Sequence, residues 1–167
     1  MHPVTGWIFP ALVGAATGVL SGFGVGGGTL MGLSKRLINM ENVDNIIECA
    51  KEGDLTKIDL RLKDMSRKEI IPGMPDYFTA ANFGKISDLA DKSDLALGII
   101  NMIFETIGML SIFASRHYGI QDIVLTGNMT TIPQSREIFD TLSKMFDMHF
   151  MIPDLAQYAT VIGTALQ

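Results

Sequence analysis

No Asp, Glu, Lys or Arg occurs between Met1 and Ser34, and glycine stands at positions 14, 18, 22, 24, 26, 27, 28 and 32 of that stretch. Trp7 to Leu33 is long enough to span a bilayer, for which about 20 apolar residues suffice, and Lys35-Arg36 would flank one end. The glycines make its second half a poor helix, and no basic residue precedes it as in a secretory signal. The balance favours a buried segment of a soluble protein, with a membrane anchor over residues 7–33 as the alternative.

At 167 residues the chain is long enough for one domain with a real core. It is 47% hydrophobic with net charge −5, which excludes wholesale disorder and the basic patch of a nucleic-acid binder. The expected partner is a small molecule or another protein. One cysteine, Cys49, cannot form an internal disulfide; set among Ile46, Ile47 and Ala50 it reads as a packed helix residue in a reducing cytoplasm. His2, His117 and His149 have no ligand spacing, so no metal site is assigned.

Leu30 to Leu37 begins a helix with the N–H groups of Gly26 to Thr29 gathered at its N-terminus. Asn42 caps a second helix, Val43 to Lys51, and Gly53 stops it as a C′ glycine. Asp54 to Arg67, with alternating Ile58, Leu60 and Leu62, suits a short strand or an extended crossing segment. Pro72, Gly73 and Pro75 make a loop, and helical character resumes near Phe78 to Gly84. The clearest element is a long helix from Ser93 to about His117. Ser93 is its expected cap, Asp94 lies in its first turn, Arg116 and His117 in its last, and Gly119 ends it. It is apolar on nearly all faces, Ile103 included, so it is either central to the domain or packed on a second subunit. A strand over Ile120 to Thr126, a helix over Pro133 to Phe146, a strand over Met148 to Ile152 and a helix over Leu155 to Leu166 follow. This alternation predicts an α/β fold.

Gly24 to Thr29 has the chemistry of a phosphate cradle, because backbone without Cβ atoms can approach an anion and the next helix aims its unpaired N–H groups there. Gly22, Gly24 and Gly27 also satisfy the dinucleotide fingerprint, with Asp44 near the distance of a ribose-binding acid. Ala11 to Leu20 is a poor strand, however, and Asp44 falls in a predicted helix. Close helix packing through glycines remains the bland alternative. Gly127 and Asn128 end a strand ahead of a helix, where ligands of α/β sheets bind, although an ordinary loop reads the same way. Glu105, a lone carboxylate in an apolar helix, suits a core or interface acid better than a catalyst.

Taken in order, Gly24 to Thr29 with Leu33-Ser34-Lys35, Ala50 to Asp54 with Ile58-Asp59-Leu60, Ile71-Pro72-Gly73, Thr79 to Lys85, Glu105 to Gly108, Ile123 to Asn128 and Val161 to Leu166 resemble the C-terminal half of type II pantothenate kinases. The resemblance covers about residues 22 to 167 and leaves 1–21 as an apolar segment apart. It implies the C-terminal ribonuclease-H-like domain of the sugar kinase/actin superfamily, with a long central helix. The activity implied is ATP-dependent phosphorylation of pantothenate, the first step of coenzyme A biosynthesis, with Mg2+ accompanying ATP.

By the same resemblance Gly26, Gly27, Gly28, Thr29 and Leu30 correspond to a nucleotide-binding loop, and Gly127-Asn128 to a second loop that meets ATP. Val43 lies near a position where the family often has an aromatic against the nucleotide, and the Ser93–His117 helix resembles the one through which these enzymes form homodimers. The family's D-x-G-G-T phosphate loop and general-base glutamate have no counterpart, and a family arginine that contacts the substrate falls at Val19. No catalytic residue is therefore assigned, and the chain is expected to be an incomplete, cytoplasmic enzyme. The alternatives are a non-catalytic dimerisation or nucleotide-binding module, and a membrane-tethered protein.

Overall fold

The computed structural model describes residues 25–65 and 74–165. Helix α1 is Val25–Ile38 and α2 is Val43–Ala50; a 3-10 turn at Leu55–Lys57 leads into strand β1 (Leu60–Arg61) and the short helix α3 (Leu62–Met65). Strand β2 (Thr79–Ala81) precedes α4 (Lys92–His117). Strand β3 (Asp122–Val124), a 3-10 turn at Asn128–Thr131, helix α5 (Gln134–Phe146), strand β4 (His149–Met151), a 3-10 turn at Ala156–Tyr158 and helix α6 (Ala159–Ala165) complete the order. Mixed helices and small sheets make this an α/β protein. The expectations for Ala11 to Leu20, for Val19, for the first part of the 7–33 anchor and for Ile71 to Gly73 lie outside the described residues.

Two compact units emerge: Leu30–Ile103, and the residues from Phe104 onward with the described residues that precede Leu30. In the Leu30–Ile103 unit, Asn42 caps α2 as the sequence predicts, its Oδ1 accepting the Asn45 N–H at 3.0 Å. The cap of α4 is Asp91 rather than Ser93: its Oδ1 accepts the N–H groups of Ser93 (2.8 Å) and Asp94 (3.1 Å), which moves Ser93 inside the first turn. Gly53 does not adopt the positive φ of a C′ glycine. It is glycine because a Cβ there would strike the Ser93 carbonyl and come within 2.7 Å of Leu97 Cβ.

Asp54 to Arg67 is not one extended segment. Only Leu60 and Arg61 are strand, paired antiparallel with β2 through Leu60↔Ala81 and Arg61↔Thr79, and the chain then turns into α3. Phe78 to Gly84 is likewise a strand and turn rather than a helix. The reason is tertiary: buried Asp59 accepts the Phe83 N–H on one oxygen (2.9 Å) and the Asn101 amide on the other (3.0 Å), and Phe83 takes a left-handed φ of 57°. A hydrogen bond to a buried carboxylate outweighs the local preference.

In the other unit β3 and β4 pair in parallel with α5 as the connection, in the register Asp122↔His149, Ile123↔Phe150 and Val124↔Met151. Ile123 is buried between exposed neighbours, the period-2 alternation of a one-sided sheet. Phe139 of α5 meets Phe104 edge-on at 5.6 Å and stacks on Phe150 at 5.0 Å. The predicted closing helix divides into the 3-10 turn and α6, with Leu155 at a φ of 62° ahead of them. Helix α4 is long and apolar enough to cross a membrane, and over half of its most apolar stretch is buried inside the protein, as in a core helix.

Asp94 is the polar anchor of the Leu30–Ile103 unit. It is fully buried and accepts the Asp54 N–H (2.7 Å), the Lys57 ammonium (2.9 Å) and the Asp91 N–H (3.0 Å). Burial pushes its pKa up, but the Asp91 N–H, Lys57 and the Asp54 N–H together hold the carboxyl below its usual range. A carboxylate depressed on folding stabilises above its unfolded value of about 3.9 and loses that contribution as pH falls through the folded value. Asp94→Asn should cost about 2 kcal/mol at neutral pH, the scale of hydrogen bonds to a charged group. Urea unfolding of both proteins between pH 7 and pH 2 checks this: the gap should narrow below about pH 4, and a gap independent of pH would refute it.

Candidate functional site

The glycine run is helix rather than loop. Helix α1 already contains Gly26, Gly27, Gly28 and Thr29 in its opening turns, so the expected phosphate loop is a helix N-terminus. In the first turn of an α-helix the amides have no intrahelical carbonyl to bond, and Gly26 and Gly27 lie in that turn of α1. Gly26 is buried, Gly27 half-buried, and Gly28 and Thr29 are exposed. Leu30 is 1% exposed, so its side chain belongs to the core and not to a ligand surface.

The glycines whose surroundings are described differ in what a Cβ would meet. At Gly84, Gly98 and Gly108 a Cβ would collide: with Ala81 and Leu60 at Gly84, with Ile58 Cγ2 at 2.7 Å at Gly98, and with Leu142 at Gly108. Among the described residues nothing lies within 4 Å of such an atom at Gly28 and Gly32, and at Gly27 the nearest is Met129 Sδ at 4.0 Å, an ordinary contact. Close packing among the described residues therefore does not explain Gly27 or Gly28, although glycine costs a helix about 1 kcal/mol relative to alanine.

The Met129 contact also places the first turn of α1 beside the turn that follows β3. The Leu125 N–H still bonds the Met151 carbonyl (2.8 Å), continuing the parallel ladder, and the chain then breaks at Gly127, whose φ of 99° and ψ of 170° suit glycine. The Gly127 N–H donates to the Ala156 carbonyl (2.9 Å), and its own carbonyl accepts the Thr130 hydroxyl at 2.7 Å. Asn128 is exposed at the head of the 3-10 turn. Met129 follows Gly127 and Asn128 directly in the chain, and its Sδ is the atom nearest to where a Gly27 Cβ would stand.

The sequence profile of the family described as Fumble matches residues 16–151. The chain belongs to that family. Fumble is the family of the type II pantothenate kinases, and its match takes in all seven candidate site residues. The type II pantothenate kinase of Oceanobacillus iheyensis is 35% identical over 114 residues, 67% of this chain and 43% of that protein. Those of Bacillus cereus (strain ATCC 10987 / NRS 248) and Bacillus anthracis are 32% and 34% identical over 110 residues, 64% of this chain and 40% of each relative. The chain spans less than half the length of these Fumble relatives.

Other candidates fall away from this region. Asp44 lies exposed in the first turn of α2, a helix, which leaves the dinucleotide fingerprint without its strand-end acid. Cys49 is half-buried, and burial, then the Asp91 carboxylate, pushes its thiol up, the opposite of an activated nucleophile. Glu105 is half-buried within α4. Met129 was missed by sequence reasoning, since nothing local marks a methionine in a turn as the neighbour of a distant glycine.

Gly127→Ala should destabilise the protein by at least about 1 kcal/mol, because alanine is strained at that φ. Chemical unfolding monitored by circular dichroism checks it, and an unchanged midpoint would refute the requirement for glycine.

Proposed function

We propose that the described region binds the phosphates of ATP, accompanied by Mg2+, through the Gly26–Thr29 turn and the Gly127–Asn128 turn, as the nucleotide-binding half of a type II pantothenate kinase. Two glycines that no packing contact among the described residues requires, at the start of a helix and beside a second turn, are the observation that carries it. A helix N-terminus supplies unpaired N–H donors and a positive dipole end, both suited to a phosphate. Leu30 contributes only as the core anchor that holds the turn. Exposed Asn128 supplies an amide that can donate or accept.

In this reading residues 22–167 form the C-terminal ribonuclease-H-like domain of a sugar kinase/actin-like enzyme of the cytoplasm, and pantothenate is the acceptor. Phosphoryl transfer needs a general base and a full clamp on the phosphates. Neither has a counterpart among the residues that resemble the family, so the 167-residue chain should bind nucleotide weakly, with a dissociation constant at best near 1 mM, about −4 kcal/mol. Titration with MgATP tests the site directly. Gly28→Ala and Gly32→Ala should both leave the fold intact, and only the former should weaken binding, by about tenfold or more. Equal binding by all three proteins would sink the assignment, as would pantothenate turnover at about 1–100 per second by the chain alone.

A non-catalytic dimerisation module is the second reading, favoured by helix α4. Leu110 and Phe113 are 58% and 61% exposed and three residues apart, so they share a face. Ile103, by contrast, is core. A homodimer through the Leu110–Phe113 face should become a folded monomer in Phe113→Asp, as read by analytical ultracentrifugation. A wild-type monomer at micromolar concentration would remove the dimer.

A further inference from the structure

One face of the parallel β3–β4 pair is packed: Ile123 is buried, and Phe150 stacks on Phe139 of α5 at 5.0 Å. The other face carries the register pairs Asp122↔His149 and Val124↔Met151. Asp122 and His149 meet each other at 2.9 Å, whereas Val124 and Met151, 44% and 42% exposed, set two apolar side chains next to one another in solvent. Parallel strands belong to sheets covered on both faces, which is why they carry apolar residues on each side. Leu155 and Tyr158, in the turn that follows β4, are exposed as well, and the Gly127 N–H on the Ala156 carbonyl ties that turn to the one after β3. The exposed apolar side chains thus lie at and just beyond the carboxyl ends of the two strands.

The chain enters α1 near this end, since Met129, in the turn after β3, is the neighbour of Gly27. The 24 residues before Val25 contain no Asp, Glu, Lys or Arg and include Trp7, Ile8, Phe9, Leu12 and Val13. Val124 stands five residues before Met129, at most about 18 Å along the chain, and eight extended residues reach about 27 Å. We propose that residues 7–23 fold back over the exposed β3–β4 face and cover it, with Trp7 to Val13 against Val124 and Met151. A segment without charge meets an apolar face without stranding an ion there. Tethered at Val25, it is present at an effective concentration on the order of millimolar, far above that of a separate protein. The face is also small: its few exposed apolar side chains suit one short segment, whereas a standard interface between two proteins takes roughly 20–30 residues a side.

Trp7 is the single tryptophan of the chain, so its fluorescence reports on this segment alone. In the 167-residue protein its emission should be blue-shifted and poorly quenched by acrylamide, at every protein concentration and without added lipid. Val124→Asp should move the emission to the red and raise the quenching constant about threefold, because a carboxylate on the covered face expels the indole. Met151→Gln keeps the length of the side chain and should act in the same direction; it decides the matter should circular dichroism show that Val124→Asp does not fold. Phe113→Asp, on α4, should leave Trp7 as in wild type. Full quenching of Trp7 in wild type would overturn the proposal, as would a buried Trp7 that ignores Val124→Asp and Met151→Gln or responds equally to Phe113→Asp. Burial that appears only as protein concentration rises assigns the face to a second copy, and burial that appears only with phosphatidylcholine vesicles assigns the segment to a membrane; either result also overturns it.

Discussion

Helix α4 is packed through missing Cβ atoms. In the Leu30–Ile103 unit Ile58 Cγ2 and the Phe83 ring occupy the gap at Gly98, and Leu97 and the Ser93 carbonyl close on Gly53. In the other unit Leu142 fills the gap at Gly108 with Phe139 beside it. Each gap fixes where a neighbouring element can lie along the helix, because a side chain that enters it cannot slide by one turn without meeting a Cβ. An interior at crystal-like density turns such notches into register marks. A glycine within a 26-residue helix is unfavourable locally, and here the cost is offset by contacts that no other residue permits.

The Leu30–Ile103 unit adds to these notches two fully buried carboxylates, Asp59 and Asp94. Buried charge is tolerated only when its oxygens are satisfied. Asp94 gathers the 3-10 turn and the start of α4, and Asp59 gathers the turn after β2 and Asn101 of α4. Each joins residues about forty apart in sequence. They set the geometry of short, weakly paired strands that could not hold themselves: β1 and β2 pair over two or three residues, where a lone hairpin is marginal in water.

This separates what the sequence made legible from what it hid. Helices α4 and α5, strands β3 and β4 and the Asn42 cap were readable because their signals are local: an apolar run with charges of the right sign at its ends, alternation around Ile123, a side chain one turn from the amide it caps. The turn after β2 was not, because Ala80, Ala81 and Phe83 have acceptable helix propensity and the force against it comes from Asp59, twenty-four residues earlier. Gly53 was read from its position after a helix, whereas its cause is a carbonyl forty residues away. The glycine run was misread as shape: Gly26 to Thr29 are helical, and Leu30 lies in the core.

The same accounting weighs the two explanations of the glycine run against each other. If glycines at the start of α1 served packing, a Cβ at each would meet its neighbours, as it does at Gly98 and Gly108. Among the described residues it meets nothing at Gly28 and only a flexible thioether end at Gly27. Alanine at the two positions would stabilise the helix by about 1 kcal/mol each, so a sequence shaped by stability alone would not keep glycine there. What glycine provides at an exposed helix start is access, because the backbone amides can be approached to hydrogen-bonding distance with no side chain between them and an anion. The argument extends to Gly127 in weaker form, since its φ of 99° already accounts for it. The case for a phosphate site therefore stands first on Gly28, next on Gly27 with Met129 beside it, and only then on the Gly127–Asn128 turn.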